Sequence, residues 1–484
     1  MQLEALVNLA INDTKDSLWP AFAPELVICF TIMGMLLVRL FRTFDRIPGF
    51  LMAGIGAAVA LYYAQPWVYL AGETLPAPTE LFGGMLVLDS FTVFIRTVLL
   101  VFAVLFIVLT RISKFPESSD SVDFYCLVLG SMLGMCLMAS ANHLLMVFMA
   151  IEMASVPSYV LAGSLRYNKK SSEAALKYSI YGAGTAGIML YGISLIAGIT
   201  NTAHIPTIAT QLSIMLPTMP QSEQLVLALG GLMLTVGVAF KLSAVPFHFW
   251  CPDVFEGASA EIGAFLSVAS KAAALALLVR ITLGMGLLPD AEVRTAAEPT
   301  SNGYFSVADS LDDAPSPSDA AIKDTDPLSG VRRFAGLVIA ILAAVTCTFG
   351  NLAAYAQTNI KRLLAYSTIA HAGYMMMAVP AALAANVSSG GEGSITGEYA
   401  IAALGLYIVT YVIMNLSAFA VVAFFRNSFG SEEIADYSGL VKRSPIVVIL
   451  FSLTLFSLVG LPPLAGFLGK FAIFASLAQS FKES

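Results

Sequence analysis

The 484-residue chain is 58% hydrophobic and 12% charged, with a mean hydropathy of +0.81. A soluble domain carries about 25% charged residues, so this composition describes a polytopic membrane protein rather than a large soluble core. The net charge of −7 comes with no basic stripe, which argues against a nucleic-acid partner, and the five scattered cysteines form no C-x-x-C pair, which argues against a zinc site, an iron–sulfur cluster or a disulfide framework.

Apolar runs of about 20 residues are read as membrane spans. Met1–Ala23 carries Asp13, Lys15 and Asp16 ahead of any long apolar run and does not resemble a cleavable signal, so the first span is expected to anchor the chain. That span covers Phe22–Leu40, with Glu25 at its start and Arg39 at its end. The second covers Gly49–Tyr69, and an acidic loop containing ETLPAPTE follows. The third, Ser90–Thr110, contains Arg96; the fourth is Val122–Ala139; the fifth, Leu144–Gly163, has Glu152 near its centre. The sixth is Ala174–Gly198, with Lys177 at its start, and a polar segment with His204, Pro206, Pro217 and Pro220 comes next. The seventh and eighth lie within Leu225–Arg280 and flank a linker with Pro246, Trp250, Pro252 and Gly257. Lys241 sits inside the seventh and Lys271 near the middle of the eighth.

Asp290–Gly330 is rich in Asp, Ser, Pro and Ala and is expected to be a disordered acidic loop. The ninth span is Phe334–Leu352; Lys361 and Arg362 precede the tenth, which contains His371 and ends near Leu383. SSGGEGSITGE reads as a flexible loop, and the eleventh span is Tyr399–Phe425. The stretch Pro445–Gln479 is too long for one straight span, is broken by Gly460, Pro462 and Pro463, and carries Lys470. The expected architecture is all-α with about twelve transmembrane helices, the seventh and twelfth broken. Broken helices at matching places suggest inverted repeats. The chain then divides into an N-terminal group (1–121), a first repeat (122–289), the acidic loop (290–330) and a second repeat (331–484).

Basic residues gather in alternate connections: Arg39/Arg42/Arg46, Arg111/Lys114, Arg166/Lys169/Lys170, Lys361/Arg362 and Lys442/Arg443. By the positive-inside rule the N-terminus is outside. The acidic loop then lies outside too, with Arg294, Lys323, Arg332 and Arg333 as the exception to the pattern.

Glu152, Lys241, Lys271 and Lys470 are the main functional candidates. A lysine at mid-bilayer costs roughly 2.5–3.5 kcal/mol on insertion scales, and one salt bridge would suffice to lock helices. The bland reading is that Glu152 pairs with a lysine to do only that. The sharper one is a proton relay: burial disfavours a lysine's charged form and a nearby carboxylate favours it, so a moving charge loads and unloads it. Ser267 and Ser270, four and one residues before Lys271, carry hydroxyls that could hydrogen-bond water near it, which the sequence does not itself show. His371 is either a relay group or a hydrogen-bonded core histidine, and His248, beside the break after Lys241, either a relay group or a loop contact. His143 and His204 are assigned nothing; Arg96 is expected to snorkel, and Glu25 to be a polar helix start.

NIKRLLAYSTIAHAGYMMM (Asn359–Met377) and GVAFKLSAVPFHFWCPDVFEGA (Gly237–Ala258) resemble the signatures of the NADH-quinone oxidoreductase subunit N family, an antiporter-like subunit of respiratory complex I. APEL near the start, MAIEMASVPSYVLAG, EAALKYSIYGA and GLPPLAGFLGKF are similar to that family as well. The IAHAGY form favours it over the related Mrp-type sodium/proton antiporter subunits. The resemblance implies a proton-translocating subunit of a bacterial inner-membrane complex, contacting lipid and other membrane subunits, and quinone only indirectly. It implies no cofactor in this chain; NADH, flavin, iron–sulfur clusters and quinone belong to other subunits. By motif, Glu152, Lys241, Lys271, Lys470, Lys177 and His371 match family positions. Three departures stand out. The family usually has fourteen spans, so its last helices are expected to be absent; Asp290–Gly330 looks inserted; and Glu261 stands where the family usually has proline, read here as a solvated helix start. An Mrp-type antiporter subunit and a non-pumping scaffold remain the rival readings.

Overall fold

The computed structural model describes residues 2–40, 48–65, 78–116, 121–165, 168–288, 326–388 and 395–483. A bilayer interior offers no water to backbone polar groups, so an apolar chain satisfies them internally as helices. Seventeen α-helices are found among the described residues, ten of the spans they form being long and apolar enough to cross a membrane.

α1 (Gln2–Leu18), which carries Asp13, Lys15 and Asp16, precedes α2 (Ala23–Leu40) and α3 (Gly49–Tyr63). A short antiparallel hairpin, β1 (Thr79–Leu81) with β2 (Leu86–Leu88), leads into α4 (Ser90–Ser113). Then come α5 (Ser121–Ser140), α6 (Leu144–Ala162), α7 (Lys169–Thr200) and the short α8 (Ile205–Met215). The seventh span is broken as expected, into α9 (Gln221–Leu242) and α10 (Trp250–Gly257), and α11 (Ala260–Gly286) is the eighth. α12 (Ser329–Ala354), α13 (Ile360–Met376), α14 (Ala378–Ser388) and α15 (Ile395–Phe429) follow. The last stretch is broken too, into α16 (Pro445–Val459) and α17 (Ala465–Glu483).

Some boundaries differ from expectation. The second span is helical only to Tyr63; its expected end, residues 66–69, lies outside the described residues, as do Arg42, Arg46, Arg166, Arg294 and Lys323. Most of the 290–330 loop is also outside them, but Ser329 and Gly330 already belong to α12, and Asp326 pairs with Arg332. Lys361 and Arg362 lie within the first turn of α13 rather than before it, because Asn359 Oδ1 caps that helix by accepting from both their backbone N–H groups.

α11 is the hub. Every residue from Ala260 to Val279 is buried, so the helix is apolar all round and is enclosed by other helices rather than lipid. Where helices meet closely, small residues permit it. A Cβ on Gly192 would lie 2.7 Å from the Gly230 carbonyl, so α7 and α9 touch backbone to backbone. A Cβ on Gly373 would lie 2.6 Å from the Cys347 amide, which brings α13 against α12 beside His371.

The two ends of the bundle are tied by charge. At one end, Arg280 of α11 grips Asp89 at the start of α4 with both guanidinium nitrogens and bonds Ala139 O at 2.9 Å. At the same end His204 meets Glu80 of the hairpin at 3.0 Å and Asn142 at 3.0 Å. At the other, Lys170 and Lys177 of α7 and Arg362 of α13 converge on Asp253 and Glu256 of α10.

Candidate functional site

Lys241 occupies the last turn of α9 and is 1% exposed. Its Nζ donates to Ser155 Oγ of α6 at 3.0 Å, and Ser155 in turn donates to Ile151 O at 2.6 Å. Glu152 lies one turn from Ser155 on α6 and is half-buried; the Lys241 ammonium is in its electrostatic range, but its hydrogen-bond partner is Ser155. The pairing that would merely lock two helices is therefore not the arrangement found.

α9 ends because Ser243 adopts the left-handed conformation, at φ +57°. The chain then runs irregularly to Trp250, where α10 begins. Lys271, 1% exposed on α11, reaches into this break. Its Nζ donates to Leu242 O at 2.6 Å and to Ser243 Oγ, with Lys241 O at 3.5 Å. Helix C-termini leave such carbonyls unpaired and carry partial negative charge, so an ammonium is a natural cap. Trp250 closes the pocket: its Nε1 donates to Phe240 O at 3.0 Å, its ring stacks on Tyr178 at 4.2 Å, and Lys271 Nζ lies 5.4 Å from its centroid. Ser267 bonds Ala264 O at 2.9 Å, whereas Ser270 Oγ is buried without a hydrogen-bond partner among the described residues.

The second break repeats the device. α16 ends at Gly460, at φ +91°, and Lys470 of α17 donates to Leu458 O and Val459 O, both at 3.0 Å. Lys470 also lies 4.7 Å from the Tyr374 ring centroid. His371 of α13 is buried nearby, with Nδ1 2.7 Å from Tyr407 Oη of α15.

His248 is buried in the first break, its ring 4.6 Å from that of Phe349, with Nδ1 lacking a partner among the described residues. Lys177 is placed differently from the other lysines. It is partly exposed and bonds Asp253 and Glu173, each at 2.7 Å, in a polar cavity of about 190 Å³ lined also by Lys170, Glu256 and Arg362. Burial works against the charged form of Asp253, but Lys177 and then Arg362 outweigh it and hold the carboxyl below its usual range.

Three expectations are corrected. Glu261 is fully buried, not solvated, and Arg426 of α15 grips it at 3.1 and 3.2 Å; beside it Lys361 bonds Glu432 and Ala258 O, each at 2.7 Å. Arg96 does not snorkel, and Glu25, in the first turn of α2 as expected, does not meet water: they form a buried ion pair at 2.9 Å, with Arg96 also bonding Ala21 O at 3.1 Å. His204, assigned nothing, joins Glu80, Asn142 and Thr207 in one hydrogen-bond network. Each involves residues more than sixty positions apart, a distance at which spacing gives no signal. Ser155 and Tyr407 were missed because a single hydroxyl in an apolar run is ordinary; only the nearby lysine or histidine marks it. Among the described residues no group of three or more His, Cys, Asp or Glu is placed to hold a metal ion.

Helices broken at their C-termini, each capped by a buried or half-buried lysine, define an antiporter-like membrane subunit. The sequence model described as NADH:quinone oxidoreductase/Mrp antiporter, TM, matches residues 141–294 and 321–482. NADH-quinone oxidoreductase subunit N of Anaeromyxobacter sp. (strain Fw109-5) is 36% identical, the match covering 99% of this chain and 83% of that protein. Subunit N 2 of Sorangium cellulosum (strain So ce56) is 37% identical over 94% of this chain and 81% of its own length. Among solved structures, a chain of respiratory complex I from Thermus thermophilus with bound aureothin superposes with a TM-score of 0.65 at 29% identity, covering 94% of this chain and 83% of that one. A chain of the Mrp complex from Dietzia sp. DQ12-45-1b shares the fold, with a TM-score of 0.69 at 19% identity over 95% of this chain and 75% of that one. The chain belongs to the family of NADH-quinone oxidoreductase subunit N, the proton-translocating, antiporter-like membrane subunit of respiratory complex I.

Proposed function

We propose that protons move through this chain along Glu152, Lys241, Lys271, His371 and Lys470, driven by quinone reduction elsewhere in the complex. The observation that carries this is the pair Lys241 and Lys271, each 1% exposed and meeting at one helix break. Two buried ammonium groups so close repel each other, so protonating one favours deprotonating the other. Ser155 links Lys241 toward Glu152, and the unpartnered Ser270 hydroxyl suits a hydrogen bond to internal water beside Lys271. His248, buried in the same break, is a side branch of this line. Lys177, with Asp253 and Arg362, forms the charged mouth of the inner side.

In this reading the chain is a multi-pass protein of a bacterial inner membrane with its N-terminus outside, since the positive-inside rule assigns the basic ends of α2, α7 and α13 to the cytoplasmic side. The two broken helices belong to two inverted repeats, at 122–289 and 331–484. The partners are other membrane subunits and lipid, with NADH, flavin, iron–sulfur clusters and quinone held elsewhere.

Lys271→Met in native-host membrane vesicles tests the route. It keeps the length of the side chain and removes the charge. Sharply reduced NADH-driven proton uptake in an assembled complex is expected; undiminished uptake would sink the route.

A further inference from the structure

His371 has two polar neighbours. Its Nδ1 lies 2.7 Å from Tyr407 Oη, and the backbone of Leu458 lies within electrostatic reach of the ring. We assign the neutral ring the tautomer whose N–H faces the Leu458 carbonyl, which only accepts; this leaves Nδ1 as an acceptor. The Tyr407 hydroxyl is then the donor. Leu458 O accepts from Lys470 Nζ at 3.0 Å, so the lysine amine and the imidazole share the neighbourhood of one carbonyl while Tyr407 bonds the imidazole at Nδ1.

Packing fixes this arrangement. Tyr407 is fully buried in α15, and a Cβ on Gly469 would lie 2.8 Å from its ring. The glycine lets α17 press against the tyrosine, and the next residue, Lys470, is thereby brought to the break. A side chain locked by such packing presents its hydroxyl in one direction.

We propose that Tyr407 is a further proton-carrying residue, handing His371 the proton that leaves the far side of the ring for Lys470. This rests on the relay reading above. The Tyr407 O–H bond breaks as the Nδ1–H bond forms; the opposite N–H bond breaks as an N–H bond forms on a neutral Lys470 amine. Tyr407 regains a proton from protonated water on its other side, and rotation of the imidazole restores its starting tautomer. Nothing is oxidised or reduced.

Tyr407→Phe keeps the ring and its contact with α17 and removes only the hydroxyl. In inverted vesicles from the native host, with complex assembly confirmed, it is expected to lower NADH-driven proton uptake about a hundredfold, the lower end of what losing one proton-transfer group costs. His371→Met should fall as far, and the double variant no further. Normal uptake by Tyr407→Phe beside impaired uptake by His371→Met overturns the role of Tyr407 and leaves the relay standing. A double variant much worse than His371→Met alone also overturns it, since the hydroxyl would then act elsewhere. Normal uptake by His371→Met overturns the relay through this histidine, and the inference with it.

Discussion

Lys271 Nζ lies 2.6 Å from the carbonyl of Leu242, the residue that follows Lys241. One lysine thus caps the helix end on which the other sits. At the second break Lys470 caps Leu458 and Val459 in the same way. In capping a helix break Lys470 thus matches Lys271, which comes from the eighth span, whereas Lys241 precedes the break on its own helix.

Lys241 donates to Ser155 Oγ, one helical turn along α6 from Glu152. Ser155→Ala removes one hydrogen bond to a charged group, worth about 1.5–3 kcal/mol. NADH-driven proton uptake and NADH oxidation should fall together severalfold while the complex still assembles, and Ser155→Thr, which keeps the hydroxyl, should restore most of both. Full uptake in the alanine variant would show that Glu152 and Lys241 communicate without the serine.

Glu261 and Arg426 form an ion pair whose carboxylate is fully buried. Removing one partner of such a pair costs about 3–5 kcal/mol, whereas replacing both with apolar groups is often neutral. Arg426→Leu should lower the thermal stability of the purified complex or its yield, and Glu261→Leu with Arg426→Leu should recover much of the loss. If Arg426→Leu is as stable as the parent, the pair is not holding α11 to α15.

Asp253 has its carboxyl held below the usual range: burial opposes this, but Lys177 and then Arg362 prevail. A depressed folded value stabilises the protein above the unfolded pKa, about 3.9, and that contribution is lost as pH falls through the folded value. The gap in thermal midpoint between the parent and Asp253→Asn should be constant from pH 6 to 8, a range chosen as roughly two units or more above that unfolded value, and close on acidification below about pH 4. A gap that changes between pH 6 and 8, well above roughly 3.9, would point to another titrating group.

Much of the architecture was legible. Apolar runs of span length gave the helices, and glycine or proline marked both breaks, because a bilayer leaves the backbone few alternatives. The burial of Lys241, Lys271 and His371 followed from their positions inside those runs. Their partners did not. Glu25 and Arg96 each looked interfacial, and each is buried only because α2 and α4 bring them together. Glu261 looked like a solvated helix start until Arg426 was seen over it. A charge near a span end is ambiguous in sequence, since whether it meets water or a neighbour depends on helix packing.

The central claim is that Lys241 is a proton-carrying group whose step is tied to electron transfer. Lys241→Met in inverted membrane vesicles from the native host tests it most directly, with NADH oxidation and NADH-driven proton uptake followed together after assembly is confirmed. A joint fall in both is predicted. Undiminished NADH-driven uptake, with or without loss of sodium-driven proton exchange, would contradict the claim.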